Sequence, residues 1–254
     1  MTAALSIGVA AAVGPALAAR LAPAVEAAGF HALWVNDTPG HDALEVLAAA
    51  ARVTERLVLA TGVLPVDRRT PGEILERIDG LTLPVERLVL GIGSGAGPAG
   101  ALARVTDAAA ALREGTTARV VVGALGPKMR RVGAEASDGL LLSWLTPDVA
   151  AAQAEEARAI APGTHVALYV RAATDPRAVA RLADETRRYA GYPAYAANFA
   201  RLGIAAHDTT VGPDGAAERI SAYREAVDEV VLRVITAHDE PDEYERFLAD
   251  VAAV

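Results

Sequence analysis

In Gly123-Ala-Leu-Gly-Pro-Lys128 an apolar run stops and a helical segment starts at Pro127. Main-chain amides at such a junction, next to the positive end of a helix, suit an anion, so Ala124, Leu125 and Gly126 form either a plain turn or a seat for a phosphate. Leu90-Gly-Ile-Gly-Ser-Gly95 sets three glycines after another apolar run. That spacing fits close backbone packing or the close approach of a flat or anionic ligand. It is not a dinucleotide fingerprint, because the final glycine step is missing and no acidic residue follows on a next strand about 20 residues on. Thr61-Gly-Val-Leu-Pro-Val-Asp-Arg-Arg-Thr-Pro71 has a glycine inside a β-branched run, as at a bulge or a ligand contact. Its Arg68 and Arg69 make either a local cationic patch or a solvated rim.

Other chemistries drop out. The chain has no cysteine, which removes disulfides, iron-sulfur clusters, thiolate zinc sites and thiol catalysis. None of the five histidines, at 31, 41, 165, 207 and 238, pairs with another at helical spacing for a metal, so no metal is expected. Asp67, Asp138 and Asp175 lack the spacing of a carboxylate pair. A formal net charge of -8 argues against a broad nucleic-acid face and leaves room for one local basic pocket. The apolar N-terminal stretch lacks a basic leader and is interrupted by Gly14-Pro15, so no membrane span and a cytoplasmic location are expected.

The elements that must position these stretches follow from patterning. With 52% hydrophobic residues, the 254-residue chain can bury a large core as a single domain over 1–254. Eight short apolar runs read as strands buried on both faces: Leu5–Val9, Ala32–Asn36, Leu57–Val63, Arg87–Ile92, Arg119–Gly123, Gly139–Trp144, His165–Ala172 and Glu229–Ile235. Helix starts lie between them, with capping boxes expected at Asp42-x-x-Glu45 and Thr70-x-x-Glu73, and caps at Thr146-Pro147 and Asp175-Pro176. Helical spacing follows in Leu17, Leu21, Val25 and in Ile74, Ile78, Leu81. This alternation predicts an α/β fold of the (β/α)8 TIM-barrel kind, with an open doubly wound sheet as the other arrangement of similar rhythm. In a barrel, chemistry sits at the C-terminal strand ends, where the three stretches above fall together with Asn36, Asp37, Trp144 to Pro147, and Thr174 with Asp175.

The order of Trp34-Val-Asn-Asp37, Thr61-Gly-Val63 with Arg69-Thr-Pro71, Leu90 to Gly95, and Gly123 through Ala136-Ser-Asp-Gly to Trp144-Leu-Thr-Pro147 resembles the bacterial-luciferase-like superfamily. These are flavin-dependent monooxygenases and relatives that use the deazaflavin coenzyme F-420. The resemblance runs along most of the chain.

It implies a non-proline cis peptide at Gly62-Val63, behind the central ring of the cofactor. It puts the cofactor phosphate on the amides of Ala124, Leu125 and Gly126, with Thr146 as a further phosphate or ribityl partner and Trp144 as an aromatic near the cofactor or as core. Flavin luciferases carry an arginine where this chain has Ser94, and Gly93-Ser94-Gly95 looks more like the deazaflavin branch. That branch often continues with a glutamate proton donor, here Ala96, and follows its aspartate with histidine, here Thr38.

The function implied is hydride transfer between F-420 and a small organic substrate, with an FMN-dependent monooxygenase as the alternative. Asp37 is the candidate acid/base and His41 the next, with turn and helix-cap roles as their structural counterparts. A catalytically degenerate barrel serving as a binding or assembly subunit is the reading of another class. A homodimer is expected, and the chain's shortness beside many relatives implies trimmed segments over the barrel mouth.

Overall fold

The computed structural model describes residues 3–97, 99–252 and 254. Strands and helices alternate: β1 (Ala4–Ala10), α1 (Gly14–Ala27), β2 (Ala32–Asn36), α2 (Ala43–Ala51), β3 (Val58–Thr61), β4 (Leu64–Pro65), α3 (Pro71–Gly80) and β5 (Leu88–Gly93) make up the first half. Then come α4 (Ala101–Gly115), β6 (Arg119–Gly123), α5 (Pro127–Ala136), β7 (Gly139–Ser143), α6 (Pro147–Ile160) and β8 (His165–Ala172). The last stretch holds α7 (Val179–Ala190), α8 (Pro193–Leu202), α9 (Ala216–Ala226), β9 (Glu229–Val234) and α10 (Pro241–Val251).

Every strand pairing is parallel, in the order β3-β2-β1-β9-β8-β7-β6-β5-β4, and a further β3–β5 pairing closes the sheet. Since β3 and β4 both pair with β5, they act as one stave, giving a closed barrel of eight. The single strand expected over Leu57–Val63 is therefore two pieces, broken at a cis peptide bond between Gly62 and Val63.

The continuous apolar runs divide by strand period. Ile7, Leu33, Leu59, Leu90, Val122, Leu142, Leu168 and Leu232 pack outward in the layer shared with the helices, whereas Trp34, Ala60, Val89, Val121, Leu141, Tyr169 and Val231 fill the barrel interior. Helix starts follow local chemistry. Thr70 and Glu73 form the expected capping box. Asp42 caps α2 through the Leu44 amide alone, while Glu45 pairs with Arg77 instead of closing a box. Thr146 stands at the start of α6, yet its side chain makes no capping bond.

The interior is plugged at the strand starts by Glu229. Its carboxylate accepts from Ser6 Oγ and Trp34 Nε1, both at 2.6 Å, and pairs with His165 Nε2 at 3.1 Å. Burial pushes this carboxyl's pKa up, and the three partners more than offset it, leaving it below the ordinary glutamate value.

Candidate functional site

A cavity of about 770 Å³ opens at the C-terminal ends of the strands. A second one, about 550 Å³ and mostly apolar, lies beside α7 and shares no lining residue with the first. Chemistry therefore belongs to the first.

Its floor is built around Val63. A side chain at Gly91 would put Cβ 1.9 Å from the Thr61 carbonyl oxygen, and Cβ atoms at Gly93 and Gly123 would lie 2.6 and 2.9 Å from the Val63 methyls. The glycines of Leu90 to Gly95 thus let β5 approach the broken stave, so close packing is their first role. Thr61 Oγ1 donates to the Gly91 carbonyl at 2.9 Å across the same contact. Gly95 has φ +71°, and its hydrogen side faces the Asp67 carboxylate, which accepts from the Ala96 amide at 2.9 Å. Asp67, with no pairing role in the sequence reading, shapes this loop. Gly93, Ser94 and Gly95 also line the cavity, so the loop packs and faces ligand space together.

At the break between β3 and β4, Tyr169 Oη donates to Asn36 Oδ1 at 2.6 Å, and Asn36 Nδ2 donates to the Gly62 carbonyl. Burial pushes the Tyr169 hydroxyl well above its usual pKa, so it stays a donor. Gly8 makes room for it: a Cβ there would meet Tyr169 Oη at 2.6 Å.

Asp37 lines the cavity with a side chain only 2% exposed. Its Oδ1 accepts from the Ala43 amide at 3.1 Å and from Arg69 at 3.3 Å, and Arg68 lies 3.7 Å from Oδ2. Burial raises its pKa above the ordinary aspartate value, against the lowering pull of the Ala43 amide and Arg69. It combines the helix-start role with a place at the cavity wall. His41 is exposed and does not reach the cavity lining.

At the β6–α5 junction, Ala124, Leu125 and Gly126 all line the cavity, followed by Met129. The Ala124 amide is already spent on the Leu141 carbonyl at 3.1 Å, which removes it from the expected phosphate donors. The amides of Leu125 and Gly126 have no acceptor among the described residues. Gly126 caps α5 with no side-chain bond. Lys128 is exposed and outside the lining.

Two expected contacts lie elsewhere. Trp144 is 1% exposed with φ +57°, a left-handed backbone that its buried ring holds in place. The ring packs against Tyr189 and Phe199 and under Arg171, 4.1 Å from its centroid, so it is core beneath the site. Thr146 is likewise absent from the lining.

The sequence reading missed the wall supplied by β8, β9, α7 and α8. From it come Tyr169, Arg171, Glu185, Arg188, Tyr189, Tyr195, Asn198, Arg201 and Arg233. On this side α7 and α8 wall the cavity. Arg171 and Arg233 carried a readable signal, each a charge that interrupts the apolar run of its strand near the C-terminal end. Among the described residues no cluster of histidine or carboxylate side chains could hold a metal, and no helix is long and apolar enough to cross a membrane.

The profile of the luciferase-like monooxygenase family matches residues 4–101. No curated protein matches the chain by sequence. Among solved structures, an F420-dependent secondary alcohol dehydrogenase is 15% identical with a TM-score of 0.73, covering 100% of this chain and 99% of that one. The coenzyme F420 dependent tetrahydromethanopterin reductase of Methanopyrus kandleri is 17% identical with a TM-score of 0.70, over 100% of this chain and 99% of that one. The oxygenating constituent of 3,6-diketocamphane monooxygenase from Pseudomonas putida, in complex with FMN, is 15% identical with a TM-score of 0.68, over 98% and 97%. Residues 4–101 are thus similar to the luciferase-like monooxygenase family, and the solved structures share the barrel from end to end.

Proposed function

We propose that this chain is an oxidoreductase that binds a flavin-type cofactor, F-420 in preference to FMN, and passes a hydride to or from a small organic substrate. The observation that carries this reading is the pair of unpartnered amides at Leu125 and Gly126, set in the same cavity wall as Gly62 and Val63. The start of α5 adds its positive end to those donors, which suits the cofactor phosphate. Gly93-Ser94-Gly95 favours the deazaflavin, and solved structures of the same fold include F420-dependent enzymes as well as one in complex with FMN.

When bound, such a cofactor supplies a two-electron hydride donor or acceptor. The protein's residues supply the rest. Leu125 and Gly126 bind the phosphate, Ser94 offers a hydroxyl at the wall, and Val63 and Leu141 give an apolar surface that excludes water. Asn36, fixed by Tyr169, holds the Gly62 carbonyl in place. Asp37 holds or releases a proton at Oδ2, because Oδ1 is engaged by the Ala43 amide. As a base it works only ionised, so turnover falls as pH drops through a pKa above 3.8. The pH profile of kcat checks this; an acid limb that persists in Asp37→Asn assigns the proton elsewhere.

An absorbance titration of the purified protein with F-420 and with FMN tests the whole reading. F-420 is expected to bind more tightly. The reverse order establishes the FMN alternative, and binding of neither leaves the degenerate barrel. A homodimer in the cytoplasm belongs to the same proposal, and the mass in solution reads out the dimer.

A further inference from the structure

In the stave order, β8 lies across the barrel from β3 and β4, and the wall it shares with β9, α7 and α8 is strongly basic. Five arginines line the cavity, Arg68, Arg171, Arg188, Arg201 and Arg233, against two carboxylates, Asp37 and Glu185. Both carboxylates are already shared. Asp37 lies between Arg68 and Arg69, and Glu185 takes Arg171 at 3.3 Å and Arg188 at 3.7 Å. Arg201 and Arg233 have no carboxylate partner among the described residues. The excess is local, because the chain as a whole carries -8.

A second, independent feature points the same way. Asn198 lines the cavity, is 5% exposed, and accepts from Arg201 through Oδ1 at 2.5 Å. Its Nδ2 is buried without an acceptor. Through Oδ1, Asn198 thus fixes the Arg201 guanidinium at the cavity wall, and guanidiniums without counter-charges call for acceptor oxygens from a ligand.

We infer that the substrate carries an oxyanion, a carboxylate or a phosphate, held by Arg201 and Arg233 on the wall across from Gly62 and Val63. This rests on the proposed function only in calling the bound molecule the substrate. Planar guanidiniums match an oxyanion in fixed directions, so the group would orient the rest of the molecule toward Val63 and Leu141.

The test uses benzoate and phenyl phosphate as anionic probes and benzamide as the neutral match, with affinities taken by calorimetry on the full chain. At least one anion is expected to bind about tenfold or more tightly than benzamide, as a charge-assisted contact requires. Arg201→Gln, at an exposed position, and Arg233→Gln should each reduce that preference to about threefold or less, with F-420 or FMN affinity kept within about twofold. Circular dichroism confirms that each variant is folded, and either one suffices. Equal affinity for benzoate, phenyl phosphate and benzamide in the unaltered chain overturns the inference. So does a parallel loss of cofactor affinity in the variants, which would give the arginines to the cofactor's own anionic tail. The two readings part cleanly. Cofactor binding without an anion preference sinks this inference alone, and an anion preference without cofactor binding sinks the proposed function alone.

Discussion

Gly126→Asp is expected to weaken cofactor binding by about a hundredfold or more while leaving the protein as stable as before or slightly more so. The two effects separate because of local geometry. Gly126 has φ -100° and ψ 162°, extended backbone open to any residue, and a Cβ there meets nothing within 4 Å. It is the N-cap of α5 with no side-chain bond, and aspartate is a preferred N-cap, worth a few tenths of a kcal/mol over glycine. The same carboxylate would occupy the donors proposed for the phosphate and repel it. Two unit charges 4 Å apart at an effective dielectric near 20 interact by about 4 kcal/mol, and roughly two thirds of that gives the stated factor. Gly126→Ala is the control, with no charge and no cap, and its affinity should stay within about threefold. Absorbance titration and thermal unfolding read the two quantities. Unchanged affinity in Gly126→Asp refutes the phosphate seat, and a joint loss of affinity and stability shows a folding effect instead.

The barrel was legible because its staves are buried on both faces, so apolar runs such as Arg119–Gly123 and His165–Ala172 stand out without any alternation. The strand-end rule then brought Asp37, Gly62, Val63, Ser94 and Ala124 to Gly126 into one cavity. What failed was anything decided by side-chain direction. Trp144 and Thr146 are at the right strand end but outside the cavity lining, and sequence distance does not encode that placement. His41 sits four residues past Asp37 on a loop that leaves the cavity. The break within Leu57–Val63 was hidden because the apolar pattern runs through it unchanged. The arginine wall was missed for a different reason. It is assembled from β8, β9, α7 and α8, so Arg171, Arg201 and Arg233 meet only once the barrel closes.

The glycine triad beneath Val63 carries the second large effect, on stability rather than binding. Gly91→Ala should cost about 3 kcal/mol or more, because its Cβ would lie 1.9 Å from a main-chain oxygen of Thr61. No rotamer change relieves that contact. The stave itself must move, and the Thr61 Oγ1 bond to the Gly91 carbonyl breaks with it. Gly93→Ala meets a Val63 methyl at 2.6 Å, which a side chain can partly yield, so about 1–2 kcal/mol is expected. Gly123→Ala, at 2.9 Å from the other methyl, should cost less again. Urea unfolding with unchanged slopes gives the series. The binding order runs the other way. Gly93→Ala and Gly123→Ala push Val63 within the cavity floor, so their loss of cofactor affinity should exceed what their modest instability explains. A Gly91→Ala variant destabilised by less than about 1 kcal/mol would mean that β5 is free to slide against the broken stave, and that the close approach is not what holds Val63 in the cavity floor.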